Sequence, residues 1–251
     1  MAEDNPINTI YIQRLLEKNG YKVDLAKDGK EVVYKWQNND KYDLILMDVQ
    51  MPVSNGINAT TEIRSIEKRD GKNPIPIIAV TAYDTSDEKE HMLAVGANNY
   101  ITKPIDIHSL LSVIAETKEH KPFETGAETE AEAASEISEE QYERKLLQEF
   151  KDVEETLAEM LRMTLREFPQ RLSAIGDALS ARDFDTAAKN CHSLANVAGI
   201  LRAEELRDKA VQLERILINE PGEESYSLFV SIEKRAFELM RIFRKLLEEK
   251  L

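Results

Sequence analysis

Short apolar runs alternate with helical patterns from about residue 20 to residue 119, and this alternation constrains the fold more than any other feature. The apolar runs are YKVDLA (21–26), YDLILMD (42–48), PIIAVTA (76–82) and NNYIT (98–102). The amphipathic stretches fall near 29–38, 56–68, 86–95 and 106–119. Strand–helix alternation of this kind predicts an α/β doubly wound fold, in which helices cover both faces of a parallel sheet.

The composition changes after residue 119. The stretch HKPFETGAETEAEAASEIS (120–138) is acidic and has almost nothing to bury, which predicts a linker, with a short acidic helix as the alternative. From 139 to 251 apolar residues recur at helical spacing, as in Leu157, Leu161, Leu165 and Phe168. We therefore predict an α/β domain over 1–119, a linker over 120–138 and an all-α helical bundle over 139–251.

Charge and cysteine content exclude several classes of protein. The 251 residues carry a formal net charge of −14, which argues against nucleic acid as the main partner. The single cysteine rules out an internal disulfide framework and fits a reducing cytoplasm. No apolar run has the length needed to span a bilayer, and no signal peptide is visible at the N-terminus. The expected localisation is cytoplasmic, without membrane insertion.

Polar residues follow the apolar runs where the predicted strands end. Asp48 closes YDLILMD, Thr81 closes IIAVT and Lys103 follows NNYIT, while Glu3 and Asp4 stand at the start of the chain. Ligands of open α/β sheets bind at the carboxyl ends of the strands. A carboxylate nucleophile with further acids, a hydroxyl and a lysine suits phosphoryl transfer. The acids would hold Mg²⁺, Thr81 would hydrogen-bond a phosphoryl oxygen and Lys103 would supply a positive charge.

Residues 3–119 resemble the receiver domain of response regulators, through Glu3-Asp4 and the stretches MDVQMP, VTA and TKP. The resemblance implies that Asp48 is the phosphoacceptor. It implies that Asp4, Asp48 and the main-chain carbonyl of Gln50 ligate Mg²⁺, with Glu3 acting through water.

The same resemblance implies a switch, in which the ring of Tyr100 turns inward as Thr81 moves toward the phosphoryl group. It also implies a cis peptide bond between Lys103 and Pro104.

The receiver fold implies the strand order 2-1-3-4-5, with a central first strand directly before the acidic pair. Only Met1 and Ala2 remain of that strand, so we expect strands 2 and 3 to lack a shared neighbour. Three explanations stay open. The chain is a C-terminal fragment of a longer protein, another segment fills the slot, or the receiver is degenerate.

In the helical half, His192 has Ala188, Ala195, Asn196 and Gly199 along its face. These small residues predict an exposed imidazole that a partner's crevice can approach. On the opposite face, Phe184, Cys191, Leu194 and Ala198 indicate the core. Neutral imidazole is a good nucleophile near pH 7.

Residues 139–251 resemble a histidine phosphotransfer (HPt) domain, through the Asp183-Phe184 turn, the His-x-Leu core and AEEL opening the next helix. The resemblance implies that His192 carries a phosphoryl group. This sequence has Ala195 and Asn196 where the family usually has Lys and Gly. We expect Lys189, three residues before His192, to substitute in part for the missing lysine.

The favoured hypothesis is a two-component phosphorelay protein, in which Asp48 accepts a phosphoryl group from a kinase phosphohistidine and His192 relays phosphoryl groups. The implied partners are a sensor histidine kinase and a downstream receiver that docks on the helix around His192. The alternative is a degenerate receiver with a helical interaction module, which binds partners without phosphotransfer. A phosphatase that uses Asp48 is disfavoured, because Gln50 stands where such enzymes need an acid. The sequence shows no ATP-binding kinase region and resembles the C-terminal part of a hybrid sensor histidine kinase.

Overall fold

The computed structural model describes residues 1–39, 41–51, 54–81, 86–103, 105–118, 138–151 and 153–251. The chain divides into two compact units, residues 1–129 and 130–251. Their boundary lies inside the predicted linker 120–138, of which the structure describes Ser138 alone. Each unit is described below by itself.

The first unit alternates helices and parallel strands, as the sequence predicts. In chain order its elements are α1 (Pro6–Lys18), α2 (Gly29–Gln37), β1 (Ile45–Asp48), α3 (Gly56–Asp70), β2 (Ile77–Thr81), α4 (Ser86–Ala94), β3 (Asn99–Thr102) and α5 (Ile107–Lys118). Every residue of β1 and β2 is buried, because helices cover both faces of the sheet.

Side-chain caps fix where three helices of this unit begin. The Asn5 side chain accepts hydrogen bonds from the main-chain N–H groups of Ile7 and Asn8, and Pro6 takes the first helical position. The side chains of Asp28 and Asn55 cap α2 and α3 in the same way. These caps satisfy main-chain donors that lack a partner inside the helix, so local sequence decides where these three helices begin.

The sheet has the order β1-β2-β3, and both pairings are parallel. Ala2 extends it, since it forms parallel bridges with Ala26 on one side and with Met47 on the other. The Ala2 N–H donates to the Leu46 carbonyl at 2.8 Å, and the Asp48 N–H donates to the Ala2 carbonyl at 3.1 Å. The spatial order is therefore Ala26, Ala2, β1, β2, β3, which is the order implied by the receiver resemblance.

Two predictions about this edge of the sheet are wrong. Ala2 is a shared neighbour of Ala26 and Met47, so the two flanking segments do not lack one. The run 21–26 is not a strand, because only Ala26 forms a bridge. A strand needs a hydrogen-bonded neighbour along its length. Residues 1–3 reach only the stretch from Asp24 to Ala26.

The second unit is helical in its described part, as predicted. Its helices are α6 (Glu139–Glu149), α7 (Glu154–Ala181), α8 (Phe184–Ile200), α9 (Glu204–Asn219) and α10 (Glu223–Glu249). The Asp183 side chain caps α8 by accepting from the Thr186 N–H. Pro221-Gly222 separates α9 from α10, and residues 227–232 are helical within α10.

Helix α8 lies in the interior of this unit, where it packs against α7 and α9. Its buried residues include Cys191, Leu194, Val197 and Ala198. Of the helices that the structure describes, none combines the length and the apolar character that crossing a bilayer requires.

Candidate functional site

Three carboxylates meet beside the carboxyl end of β1. One ligand oxygen from each of Glu3, Asp4 and Asp48 lies within 4.8 Å of the other two. Glu3 and Asp48 are buried, whereas Asp4 is exposed. The bridge at Ala2 carries the acidic pair to this position, since Glu3 follows Ala2 directly and its N–H donates to the Ala26 carbonyl at 3.0 Å.

Lys103 joins two of these carboxylates. Its Nζ lies 2.6 Å from Asp48 Oδ2 and 2.9 Å from Glu3 Oε2. The lysine side chain is 7% exposed, so the ion pairs are largely shielded from solvent. Its position follows from the sheet, because the Lys103 N–H donates to the Thr81 carbonyl at 2.7 Å just beyond the ends of β2 and β3.

The buried position sets the electrostatics of this cluster. Burial raises the pKa of the Asp48 carboxyl, the Lys103 ammonium opposes that rise, and the Glu3 carboxylate adds to it. For Lys103, burial lowers the pKa, but the attraction of Asp48 and Glu3 outweighs burial and leaves it above its ordinary value. The lysine therefore stays charged and supplies the counter-charge of the cluster.

The other residues predicted for this site lie nearby in the sheet. Thr81 is buried at the end of β2, two strands from Ala2. Tyr100 is partly buried on β3 and packs against the core, and Lys89 Nζ lies 4.9 Å from the centre of its ring. The Gln50 N–H donates to Asp48 Oδ1 at 3.2 Å. The predicted cis peptide bond involves Pro104, which lies outside the described residues.

Gly56 fits closely against the main chain of Asp48. Its N–H donates to the Val49 carbonyl at 2.9 Å, and a Cβ at this position would lie 2.2 Å from the Asp48 carbonyl oxygen. Any larger residue would displace either α3 or the end of β1. The Asn55-Gly56 turn therefore holds the chain close to the phosphoacceptor candidate.

The structure contradicts the predicted exposure of His192. The residue is 9% exposed, and its neighbours Ala188, Ala195 and Gly199 are buried as well. Packing of α8 against both α7 and α9 covers the small-residue face as well as the face of Cys191 and Leu194. The sequence pattern predicts an open surface from these small side chains. In the structure they instead permit close helix packing.

A residue that the sequence analysis missed contacts His192. Glu214 Oε1 on α9 lies 3.1 Å from His192 Nδ1. Glu214 is 4% exposed, and its Oε2 atom has no hydrogen-bond partner among the described residues. The sequence does carry a signal, because Glu214 falls at helical spacing between the buried Ala210 and Leu217, where a carboxylate needs a partner.

Comparisons with protein families identify both units. The sequence model of the response regulator receiver domain matches residues 1–115, and that of the Hpt domain matches residues 159–246. Asp48 lies within the first of these ranges and His192 within the second.

Curated relatives include histidine kinases. Sensor histidine kinase GacS of Pseudomonas protegens is 31% identical over 225 residues, which cover 87% of this chain and 24% of that protein. Hybrid signal transduction histidine kinase I of Dictyostelium discoideum is 46% identical over 118 residues, which cover 45% of this chain and 7% of that protein. This chain thus spans only a small part of each of these relatives.

Among solved structures, the receiver domain of sensor histidine kinase PA1611 from Pseudomonas aeruginosa, with magnesium coordinated in its active-site cleft, is 36% identical. The match covers 47% of this chain and 93% of that chain, with a TM-score of 0.43. On the basis of the two family matches, the chain contains a response regulator receiver domain in residues 1–115 and an Hpt domain in residues 159–246.

Proposed function

We propose that this chain is a two-component phosphorelay protein, with Asp48 as the phosphoacceptor of its receiver domain and His192 as the phosphoryl carrier of its Hpt domain. The observation that carries the proposal is the cluster of Glu3, Asp4 and Asp48 beside the end of β1, where Lys103 pairs with Glu3 and Asp48. The Hpt match supports the proposal that a second residue, His192, would hold a phosphoryl group.

The carboxylate cluster fits Mg²⁺. The cation prefers oxygen ligands, and the ligand oxygens of Glu3, Asp4 and Asp48 lie within 4.8 Å of one another. Asp4 and Asp48 would ligate the metal with the Gln50 main-chain carbonyl, and Glu3 would act through water. When bound, Mg²⁺ would reduce the repulsion between the carboxylates and an incoming phosphoryl group.

The residues around Asp48 supply the remaining chemistry. An Asp48 carboxylate oxygen would attack the phosphorus of a kinase phosphohistidine. The new P–O bond would form as the P–N bond breaks, and the electron pair of that bond would return to the histidine nitrogen. Lys103, already 2.6 Å from Asp48 Oδ2, would neutralise a phosphoryl oxygen, and the Thr81 hydroxyl would donate to another. The ring of Tyr100, on β3 beside β2, would turn inward as Thr81 moves toward the phosphoryl group.

In the Hpt domain, Glu214 would set the tautomer of His192. A hydrogen bond from Nδ1–H to the Glu214 carboxylate places the proton on Nδ1 and leaves the electron pair for phosphoryl transfer on Nε2. Glu214 is thus proposed as a positioning residue, because it would act through His192 and not on the phosphoryl group.

The two domains also suggest partners. A sensor histidine kinase would donate to Asp48, and a receiver domain would exchange a phosphoryl group with His192. Such partners are expected in the cytoplasm. The net charge of −14 supports a role without nucleic acid.

The alternative function is an interaction module without phosphotransfer. The burial of His192 favours it, because a receiver must bring its aspartate to the imidazole. Transfer to a histidine that is 9% exposed requires local movement of the surrounding helices.

The deciding experiment measures the intact mass after incubation with acetyl phosphate and Mg²⁺. We expect one added phosphoryl group in the natural chain and none in Asp48→Ala. A folded natural chain that gains no mass would support the interaction module. A gain that persists in Asp48→Ala would place the phosphoacceptor elsewhere.

Relay through His192 needs a separate measurement. A phosphorylated histidine kinase fragment would be mixed with the natural chain or with His192→Gln, and acid-stable and base-stable phosphate would be counted. Base-stable phosphate that depends on His192 would support the relay. Its absence, with Asp48 still phosphorylated, would leave a receiver attached to a docking domain.

A further inference from the structure

Helix α10 has two faces, and only one of them belongs to the core of its unit. The buried face carries Ile232, Ala236, Leu239, Met240 and Phe243. On the opposite side, Val230 and Phe237 are 62% and 53% exposed, and Tyr226 is 45% exposed. Three exposed large hydrophobic residues on one line are unusual for a helix surface that faces water alone.

Away from the core, α10 carries a stripe of residues that are exposed apart from the half-buried Glu233, and we call it the outer stripe. Its members are Glu223, Tyr226, Val230, Glu233, Lys234, Phe237, Arg241 and Arg244. They are spaced three or four residues apart, except for the adjacent acid–base pair Glu233-Lys234 in the middle. Alternating steps of three and four residues are the spacing of a helix that packs along its length against another helix. The stripe extends over about 33 Å of helix.

The order of residues in the outer stripe is complementary to its own reverse. In an antiparallel pair of α10 helices whose two-fold axis passes between Glu233 and Lys234, Val230 lies opposite Phe237 of the second copy. By the same counting, Glu233 lies opposite Lys234. Every contact occurs twice, because a two-fold axis relates the two copies.

The ends of the outer stripe match in the same register. Glu223 lies opposite Arg244 of the second copy, and Tyr226 lies opposite Arg241. The first pair has opposite charges, and the second pairs a guanidinium with an aromatic ring. A parallel arrangement would instead place each charge opposite an identical charge.

The contacts within one chain leave these groups able to pair. Among the described residues, no ion pair involves Glu223, Glu233, Lys234 or Arg244. Arg241 pairs with Glu139 at 2.7 Å but stays 72% exposed, so that surface pair holds it weakly. The Tyr226 hydroxyl donates to the Leu179 carbonyl at 2.8 Å, which fixes its half-exposed ring on the surface.

We propose that the outer stripe of α10 is a homodimer interface, in which a second copy of this chain packs antiparallel about a two-fold axis between Glu233 and Lys234. The small apolar area, from Val230 and Phe237 on either side of the axis, and the charged pairs predict a reversible dimer that weakens as salt is added. The inference rests on α10 alone and is independent of phosphotransfer.

The test is sedimentation equilibrium of the full chain over a range of protein and salt concentrations. We expect a monomer–dimer equilibrium for the natural chain. Phe237→Glu removes an apolar contact twice per dimer, so its dissociation constant should rise at least about 10-fold. Ile218→Glu is the matched control, because Ile218 is 63% exposed on α9 and lies outside the stripe. It should leave the dissociation constant unchanged.

A charge exchange tests the register. Glu233→Lys alone should weaken the dimer, because it places like charges opposite each other. The double variant Glu233→Lys with Lys234→Glu should restore association, because the two opposing charges are exchanged together. Circular dichroism would confirm that each variant folds.

Three results would overturn the proposal. The first is a chain that stays monomeric at all concentrations, which would leave the stripe to another partner or to the receiver unit of the same chain. The second is a dimer that Phe237→Glu does not weaken. The third is a double variant that associates no better than Glu233→Lys, which would exclude this register.

Discussion

Glu214 Oε1 lies 3.1 Å from His192 Nδ1, and the two residues come from neighbouring helices. The contact is buried, so the carboxylate has little competition from water for the imidazole proton. The orientation and the tautomer of the proposed phosphoryl carrier thus depend on a residue of α9.

Removing the Glu214 carboxylate should impair His192 without unfolding the domain. We expect Glu214→Ala to slow phosphoryl transfer to His192 by about 10- to 100-fold, because the proton on Nδ1 is no longer held there. Glu214→Gln should be affected less, since its amide oxygen still accepts the hydrogen bond. Nitrogen-15 NMR of the imidazole measures the tautomer directly, and exposed Glu220→Ala is the control. An unchanged tautomer in Glu214→Ala would contradict the positioning role.

Removing the Lys103 ammonium should destabilise the receiver domain. Lys103→Met leaves Asp48 and Glu3 buried without their counter-charge, at an expected cost of about 3 kcal/mol in the free energy of unfolding at pH 7. Adding Asp48→Asn to Lys103→Met should recover part of this loss, because one of the two charges is then gone. Denaturant unfolding of both variants measures the difference, with exposed Lys30→Met as the control. Equal stability of Lys103→Met and the natural chain would refute the ion-pair arrangement.

A methyl group at position 56 should disturb the phosphoacceptor. Gly56→Ala places a Cβ 2.2 Å from the Asp48 carbonyl oxygen, so either α3 or the end of β1 must move. We expect a loss of about 1–3 kcal/mol in stability and slower phosphorylation of Asp48. Gly222→Ser is the matched control, since no heavy atom lies within 4 Å of a Cβ there. Normal stability and phosphorylation of Gly56→Ala would show that the turn is looser than described.

The buried Glu143 should make the helical unit sensitive to acid. Its carboxylate accepts hydrogen bonds from Lys245 at 2.8 Å and Lys250 at 3.2 Å, and the Lys245 bond is the main cause that lowers its pKa. A lowered folded-state pKa contributes stability that is present above the unfolded value of about 4.3 and is lost as pH falls through the folded value.

Glu143→Gln should therefore cost about 1 kcal/mol at pH 7 and progressively less below about pH 4. Denaturant unfolding at several pH values measures this difference. A difference that stays constant down to strongly acidic pH would mean that the ionised carboxylate is not its source.

Cys191 should report the opening of the helical unit. The side chain is fully buried, and burial raises the pKa of its thiol to about 12. Reaction with a thiol reagent at pH 8 should therefore follow the opening of α8 and be complete only in denaturant. Because the chain has one cysteine, the absorbance change needs no further assignment. Rapid labelling of the folded chain would contradict the described packing.

Local sequence determined much of the first unit. Apolar runs became β1, β2 and β3, and Asn5, Asp28 and Asn55 mark helix starts, because capping and strand formation depend on nearby residues. The predicted strand ends also indicated which side chains would lie close together, because parallel strands bring their carboxyl ends to one edge of the sheet. Asp48, Thr81 and Lys103 could be selected on this basis.

Only the tertiary structure decided the remaining features. A single residue, Ala2, joins the segments of Ala26 and Met47, because main-chain hydrogen bonds do not depend on a long apolar run. His192 is buried against Glu214 although its small neighbours suggested exposure. Helical periodicity shows which side chains share a face, but it does not show which helix will cover that face. The packing of α8 against α7 and α9 determines which faces of α8 are covered.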